Sequence, residues 1–336
     1  MQLTAKLSFI SLVLLINSGI NAQAQFISSI DTLVLEETDK FFLGDPHFEN
    51  VSDSLILAID KSQSKVFIYT KTGKLKSFWG RKGSGPGDLT NPTSATILQD
   101  GNILVTEFNG RITKFSPEGD HLAILNTKIT RLNGSIELPN GKVLLTGGMQ
   151  SPENNYLLFI FNPSSMEIES RSFSLPFDPK EYAFQPLTLA EPSHAVVCSD
   201  KIVAVHVMLP ELFFFDFEGN LIQRKKINSQ LFNQMEKVTS LNNPKETVKK
   251  YGDASWILDL HCVNDGYILI QFLKDLRGEQ ENPVSLMLVN KIGELIKESS
   301  NMPLIKFSKI GTDTLFLPNR KKPLPNTAIK SVLIRN

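Results

Sequence analysis

Tight polar turns recur along the chain between short apolar runs, and this rhythm limits the possible folds more than any other feature. One set of turns reads "SDS" at Asp53, "QDGN" at Asp100, "PNGK" at Asn140, "SDK" at Asp200, "NDG" at Asp265 and "TDT" at Asp313. Each is followed by strand-like residues: "LILAID", "ILVTE", "VLLTG", "IVAVH", "YILIQ" and "LFLP". Asp-Gly and Asn-Gly between apolar runs mark hairpins, because such turns need backbone with positive φ. A second set, "KTGK" at Gly73, "PEGD" at Gly119, "PSSM" near Ser165, "FEGN" at Gly219 and "KIGE" at Gly293, follows the strands "KVFIY", "RITKF", "LLFIF", "LFFFD" and "SLMLVN".

The unit is therefore two hairpins, four strands in roughly fifty residues, repeated six times. The sixth unit stops after its third strand, and "SSIDTLVLE" (28–36) near the other end of the chain can supply the fourth. These features predict an all-β, six-bladed β-propeller of four-stranded blades closed by its N-terminal strand, which covers an otherwise aggregation-prone edge. A β-sandwich with a second domain would not place a missing strand at the opposite end of the chain. Residues 229–256, between units four and five, predict two short helices. Ser229 caps a stripe of Leu231, Met235, Val238 and Leu241 or Phe232; Asn243 and Pro244 open the second helix, and Gly252 ends it.

Residues 83–122, "GSGPGDLTNPTSATILQDGNILVTEFNGRITKFSPEGDHL", resemble an NHL repeat. They carry its glycine-rich lead, a proline, D-G-N, an acidic residue before N-x-R-I and a closing phenylalanine. The resemblance extends more loosely to "SLILAIDKSQSKVFIYTKTGKL" and is closest to the exported six-bladed propellers of Bacteroidetes. The same glycines raise the question of a phosphate loop. A phosphate loop opens a helix and carries Gly-Lys-Ser/Thr, whereas here Pro92 and "TNPTS" lead into another strand. Gly83, Gly85 and Gly87 are expected only to drop the chain from one blade to the next.

Residues 1–24 read as a signal peptide: Lys6, the apolar run "LSFISLVLLI" and the small-x-small site Ala22-Gln23-Ala24. The run is too short to span a bilayer. The expectation is residues 25–336 exported as one propeller domain, periplasmic or extracellular, monomeric and without a transmembrane segment. Lys plus Arg and Asp plus Glu stand at 35 each, so no overall field favours nucleic acid.

The turns of both sets lie at one end of the propeller, and the longer connections lie at the other, here called the top. These are 147–155, 273–283 and 318–327 within blades, and 173–194 and 229–256 between them. Loops elaborated on a rigid scaffold carry binding groups. Counting from the turns places His47, His194 and Asp259 near the axis at the top, with Ser94, Gly134 and Phe307 at the matching positions. Across the hairpin come Asp60, Glu107, Gly147, His206, Gln271 and Asn319. The expected function is non-catalytic binding of a small ligand or protein partner through the top face. The alternative is a divalent-metal-dependent hydrolase or lyase of the lactonase-like propeller type. Its cation, such as calcium, would be held by Asp60 and Glu107; no triad order or nucleophile elbow is present.

The two cysteines, Cys198 and Cys262, fall in the innermost strands of units four and five. Side-chain parity aims them toward each other. A spacing of about 10 Å between packed sheets, against the shorter reach of a disulfide, weighs toward two buried free thiols.

Overall fold

The computed structural model describes residues 27–38, 40–49, 54–148, 156–174, 194–237, 243–274, 284–308, 312–318 and 327–333. The segment expected to be a signal peptide and most of the expected top-face loops lie outside the described residues.

Strand β1 (Ile27–Val34) comes first and is taken up last. Sheet one is β2 (Pro46–Phe48), β3 (Leu55–Asp60), β4 (Lys65–Thr70) and β5 (Leu75–Trp79). Sheet two is β6 (Pro92–Ile97), β7 (Ile103–Glu107), β8 (Arg111–Phe115) and β9 (His121–Asn126). Sheet three is β10 (Gly134–Glu137), β11 (Val143–Thr146), β12 (Tyr156–Asn162) and β13 (Glu167–Ser174). Sheet four is β14 (His194–Cys198), β15 (Lys201–Val205), β16 (Glu211–Phe215) and β17 (Leu221–Lys226). Sheet five is β18 (Trp256–Cys262), β19 (Ile268–Leu273), β20 (Val284–Val289) and β21 (Leu295–Ser299). The last sheet holds β22 (Phe307–Ser308), β23 (Thr314–Pro318), β24 (Thr327–Leu333) and, beyond β24, β1. All pairings are antiparallel, and β1 runs against β24 from Ile27↔Leu333 to Val34↔Thr327.

Burial explains why the strands read as they do. Middle strands are covered on both faces, so β3 ("LILAID") and β20 ("VSLMLV") are almost wholly buried and apolar. The outermost strand β9 ("HLAILN") alternates between half-buried and exposed, because only one of its faces packs. Each pair of neighbouring sheets encloses its own core. Ile59 and Val66 meet Val105 and Phe115; Leu104 meets Phe159 and Phe161; Ile160 meets Phe213 and Phe215. Phe214 meets Ile270 and Phe272, and Leu288 meets Leu315 and Leu317. Phe316 and Leu33 of the last sheet then pack on Ile56 and Phe67 of the first. Burying one such side chain stabilises by about 1.5–3 kcal/mol.

The outer hairpins share a bulge at the end of their third strand, for example between Ile68 and Tyr69 and between Lys114 and Phe115. The turn that follows needs positive φ. Gly73 supplies it, and a Cβ there would sit 2.0 Å from the Val34 carbonyl oxygen. Sheet three has no glycine at this place and uses Met166 at φ 58 instead.

Two expectations need correction. Among the described residues the insertion holds one α-helix, α1 (Pro244–Asp253), whose N-cap Asn243 accepts a hydrogen bond from the Glu246 N–H. Residues 229–237 are not helical. Phe232 is drawn into the core between sheets four and five, Met235 into a separate cluster with Met208 and Ala254, and the Ser255 N–H bonds the Asn233 carbonyl. Two separate anchors hold these residues apart from one helical stripe. The helix also runs through Gly252 and ends at Ala254 in extended conformation.

The second correction concerns the cysteines. Cys198 and Cys262 form a disulfide with Cα atoms 5.3 Å apart. The parity argument holds, but the sheet spacing used against the bond belongs to outer strands. The inner strands β14 and β18 converge at the axis, within disulfide reach.

Candidate functional site

The described residues counted across the hairpin do not line the axial cavity. Asp60 closes β3 and is fully buried. Its Oδ1 accepts from Ser62 Oγ (2.6 Å) and Gln63 N (3.0 Å), its Oδ2 from Gly44 N (2.5 Å) and Gln63 Nε2 (2.9 Å). Burial pushes its pKa up, but these hydrogen bonds outweigh it and hold the carboxyl below the usual range. Glu107, at the equivalent place in β7, is also fully buried. Oε1 takes Arg111 Nε at 2.6 Å and Nη2 at 2.5 Å, and Oε2 accepts from Thr90 N (2.9 Å) and Asn91 N (3.3 Å). Arg111 reaches on to the carbonyls of Ser84 and Asp88. Both carboxylates thus tie a strand end to the incoming connection. With their oxygens committed to N–H, O–H and guanidinium donors, they do not fit the role of cation ligands.

The glycine-rich stretch is explained in the same way. Asp88 accepts from Gly85 N at 3.0 Å and from Arg81 Nε, and a Cβ at Gly83 would lie 2.3 Å from Asp88 Oδ2. The concavity is filled by the protein's own carboxylate, leaving no cradle for a phosphate.

His206 is fully buried, and its Nδ1 accepts from Met208 N at 3.3 Å. Burial, with a smaller contribution from His194, drives its pKa down to about 3, so the ring is neutral. The Gln271 carboxamide clasps Ile305 from both sides, Oε1 accepting from Ile305 N (2.9 Å) and Nε2 donating to Ile305 O (3.1 Å). Asn319 lies outside the described residues.

The innermost strands of all six sheets enclose a different place, an axial cavity of about 340 Å³. His47, His194 and Asp259 line it as the sequence count predicts, and Glu49, His261, Lys306 and Ser308 join them. His194 Nδ1 stands 3.9 Å from Asp259 Oδ1, and His261 Nε2 stands 3.8 Å from Asp259 Oδ2. His261 Nδ1 is hydrogen-bonded to Ser308 Oγ at 3.1 Å. His47 Nε2 lies 3.7 Å from Glu49 Oε1, which also accepts from Ala95 N.

Burial dominates the electrostatics here. It raises the Glu49 pKa, against the pull of His47 and with a push from Asp259. It lowers His194 and His261 despite the attraction of Asp259, so both imidazoles are neutral near pH 7. Among the described residues the wall formed by sheets two and three has no charged side chain: Thr93, Asn133, Ser135 and Thr146, with the exposed Phe108 beside them. Among the described residues no group of three His, Cys, Asp or Glu side chains is arranged to hold a metal ion. The count from the turns missed Glu49 and His261 although each lies two residues from a residue it found. A period of two puts both on the same face as His47 and Asp259.

A family model described as "6-bladed beta-propeller" matches residues 7–175, half of the chain. The fold is similar to that of a Bacteroides fragilis protein described as exported (TM-score 0.64, 12% identity, 95% of this chain and 97% of that one). It is similar to a member of the DUF4221 family from Bacteroides vulgatus (TM-score 0.62, 10% identity, 92% and 97%). It also resembles an inactive virginiamycin B lyase from Staphylococcus aureus, crystallised with quinupristin (TM-score 0.57, 12% identity, 94% and 98%). No curated protein matches the chain. Among the described residues no helix is long and apolar enough to cross a membrane.

Proposed function

The chain belongs to the family of 6-bladed β-propellers, and from that premise we propose that it is an exported, non-catalytic binding protein that takes a small polar ligand into the axial cavity. In this reading residues 25–336 form one closed six-bladed ring after removal of residues 1–24, and the protein works as a monomer in the periplasm or outside the cell. The observation that carries it is the asymmetry of the cavity. Neutral imidazoles, a carboxylate and a buried acid face an uncharged wall of hydroxyl and amide groups across about 340 Å³, a volume in the range of small-molecule sites. His47, His194, Asp259, Glu49 and His261 would hydrogen-bond the ligand. Asp60, Glu107, His206 and Gln271 shape the walls behind it.

A second reading, a lyase or hydrolase, has one observation in its favour. Glu49 has a raised pKa and the nearby His194 a lowered one, so a proton donor and an acceptor share a site. Such an enzyme would not use Asp60 and Glu107 to hold its cation.

The test is a thermal-shift screen of residues 25–336 against small polar solutes, with calcium, magnesium and zinc as separate arms. Stabilising solutes should lose their effect in the His194→Ala, Asp259→Asn double variant. Stabilisation that survives these changes would move the site elsewhere. A cation requirement with turnover would favour the enzyme.

A further inference from the structure

Two lysines line the cavity, the exposed Lys61 and the half-buried Lys306, and among the described residues Lys306 has no counter-ion. It lines the space with the imidazole cluster, is half-buried, and its Nζ lies 5.7 Å from the centroid of the Phe48 ring. Among the described residues no carboxylate pairs with it. We propose that Lys306 is the anchoring cation for a carboxylate-bearing, hydroxyl-rich ligand. This rests on the reading of the cavity as a binding site and names the ligand's chemical class.

The backbone explains why Lys306 is unpaired. Glu49 directly follows Phe48, the last residue of β2, but successive side chains alternate there. Phe48 turns toward the last sheet and Lys306, while Glu49 turns toward sheet two and accepts from Ala95 N at 3.2 Å. Asp259 stands between His194 and His261. Burial alone is felt by the ammonium and lowers its pKa, with no nearby charge to restore it. An unpaired, partly desolvated ammonium is costly unless a ligand anion completes it.

Its position is also built. Gln271 fixes Ile305 through both backbone groups, and the Lys306 N–H bonds the Phe316 carbonyl. The residue is thereby held between sheet five and the last sheet, with Gln271 as a positioning residue.

The chemistry narrows the anion. Of the two lining lysines Lys61 is exposed and solvent-screened, so Lys306 supplies the one partly desolvated charge; two acids share the cavity, and a dianionic phosphate is therefore repelled more than a carboxylate. From Lys306 the ligand extends toward Thr93, Asn133 and Thr146, which offer hydroxyl and amide partners, and passes Phe108, which is 45% exposed. A sugar acid fits this arrangement, with one face of its ring free to lie on the phenyl group.

The experiment is reductive methylation of the intact protein with formaldehyde and cyanoborohydride, with labelling of each lysine read by peptide mass spectrometry. Acetate, lactate, galacturonate, galactose and galactose 1-phosphate are added in separate arms. Galacturonate should slow labelling of Lys306 and leave Lys71 and Lys74, exposed on sheet one's outer turn, unchanged. Galactose and the phosphate should protect it less. Lys306→Met keeps the apolar stem and should weaken galacturonate binding about tenfold or more, with Lys306→Arg recovering part of the loss. Equal protection by galactose, or no protection by any of the three carboxylates, overturns the proposal. If solutes bind in a manner that depends on His194 and Asp259 but ignores Lys306→Met, the anchor is wrong and the binding site stands. Binding that ignores all three positions removes both.

Discussion

Sheets two and five both carry charged or titratable side chains near the inner end of the blade, on different strands, and use them in opposite ways. In sheet two, which carries the recognisable repeat, Glu107 and Arg111 are buried against each other and against the backbone of the incoming loop. In sheet five, where that signature is absent, Asp259 and His261 project from the inner strand into the axial cavity, and a disulfide beside them ties the strand to sheet four. The repeated motif is a joint that each blade can reuse. The cavity draws its titratable groups from the innermost strands instead, for a site that exists once.

The largest expected effect tests the joint. Glu107→Ala leaves the Arg111 guanidinium buried without its carboxylate and should cost about 3–5 kcal/mol in urea denaturation, with cavity binding preserved in the fraction that remains folded. A loss below about 1 kcal/mol would mean that sheet two is not stapled in this way.

Next comes the disulfide. Cys198→Ser with Cys262→Ser should lower stability by about 2–4 kcal/mol, and the denatured, unreduced protein should show no free thiol. If the clamp also orders the cluster above it, solute binding weakens in the same variant; unchanged binding would make the bond purely structural.

Third is the response to acid. His206 titrates at about 3 in the folded protein against 6.5 when unfolded, so between these values the unfolded chain binds a proton that the folded chain refuses. Stability from this residue is complete above 6.5 and falls as the pH drops, by about 2 kcal/mol at about pH 5. His194 and His261, also lowered, act in the same direction, and Glu49, with its raised pKa, acts against them. Melting curves from pH 7 to pH 4 should show the decline, and His206→Gln should flatten it. An unchanged slope would place the acid sensitivity elsewhere.

The smallest stability effect belongs to Asp259→Asn. The carboxylate is 39% exposed and its imidazole partners stand 3.8–3.9 Å away, so the change should cost under about 1 kcal/mol while weakening cavity binding. A large loss of stability would make Asp259 part of the frame, and the contrast between the two sheets would fail.

The same contrast explains what could be read from sequence. Turn chemistry and apolar runs are local, so the four-strand unit and the use of residues 28–36 to complete the last sheet were legible from "QDGN", "PNGK" and the truncated final repeat. Side-chain direction near the axis depends on bulges that shift register by one residue, such as that between Ile257 and Asp259, and these leave no clear sequence mark. Counting one position per strand found His47, His194 and Asp259 but passed over Glu49 and His261, which a period of two places on the same faces. The expected helix over 229–241 failed over its described part because two distant cores compete for Phe232 and Met235. Asp60 and Glu107 drew attention as acids in a repeated pattern, and the pattern itself was the sign of a structural role.

The pairing of β1 with β24 has a kinetic consequence. The first of the described strands must wait for roughly 290 further residues before its partner exists, as Ile27↔Leu333 and Val34↔Thr327 show, and such distant contacts slow folding through the entropy of closing the loop. Until then the last sheet lacks its outer strand and β1 has two unpaired edges, open to other chains. Sheets one to five can form as the chain emerges, but the final step is a single long-range docking. A refolding experiment should show this step as a slow phase reported by fluorophores on β1 and β24, with proximity between Trp79 and sheet two established before it.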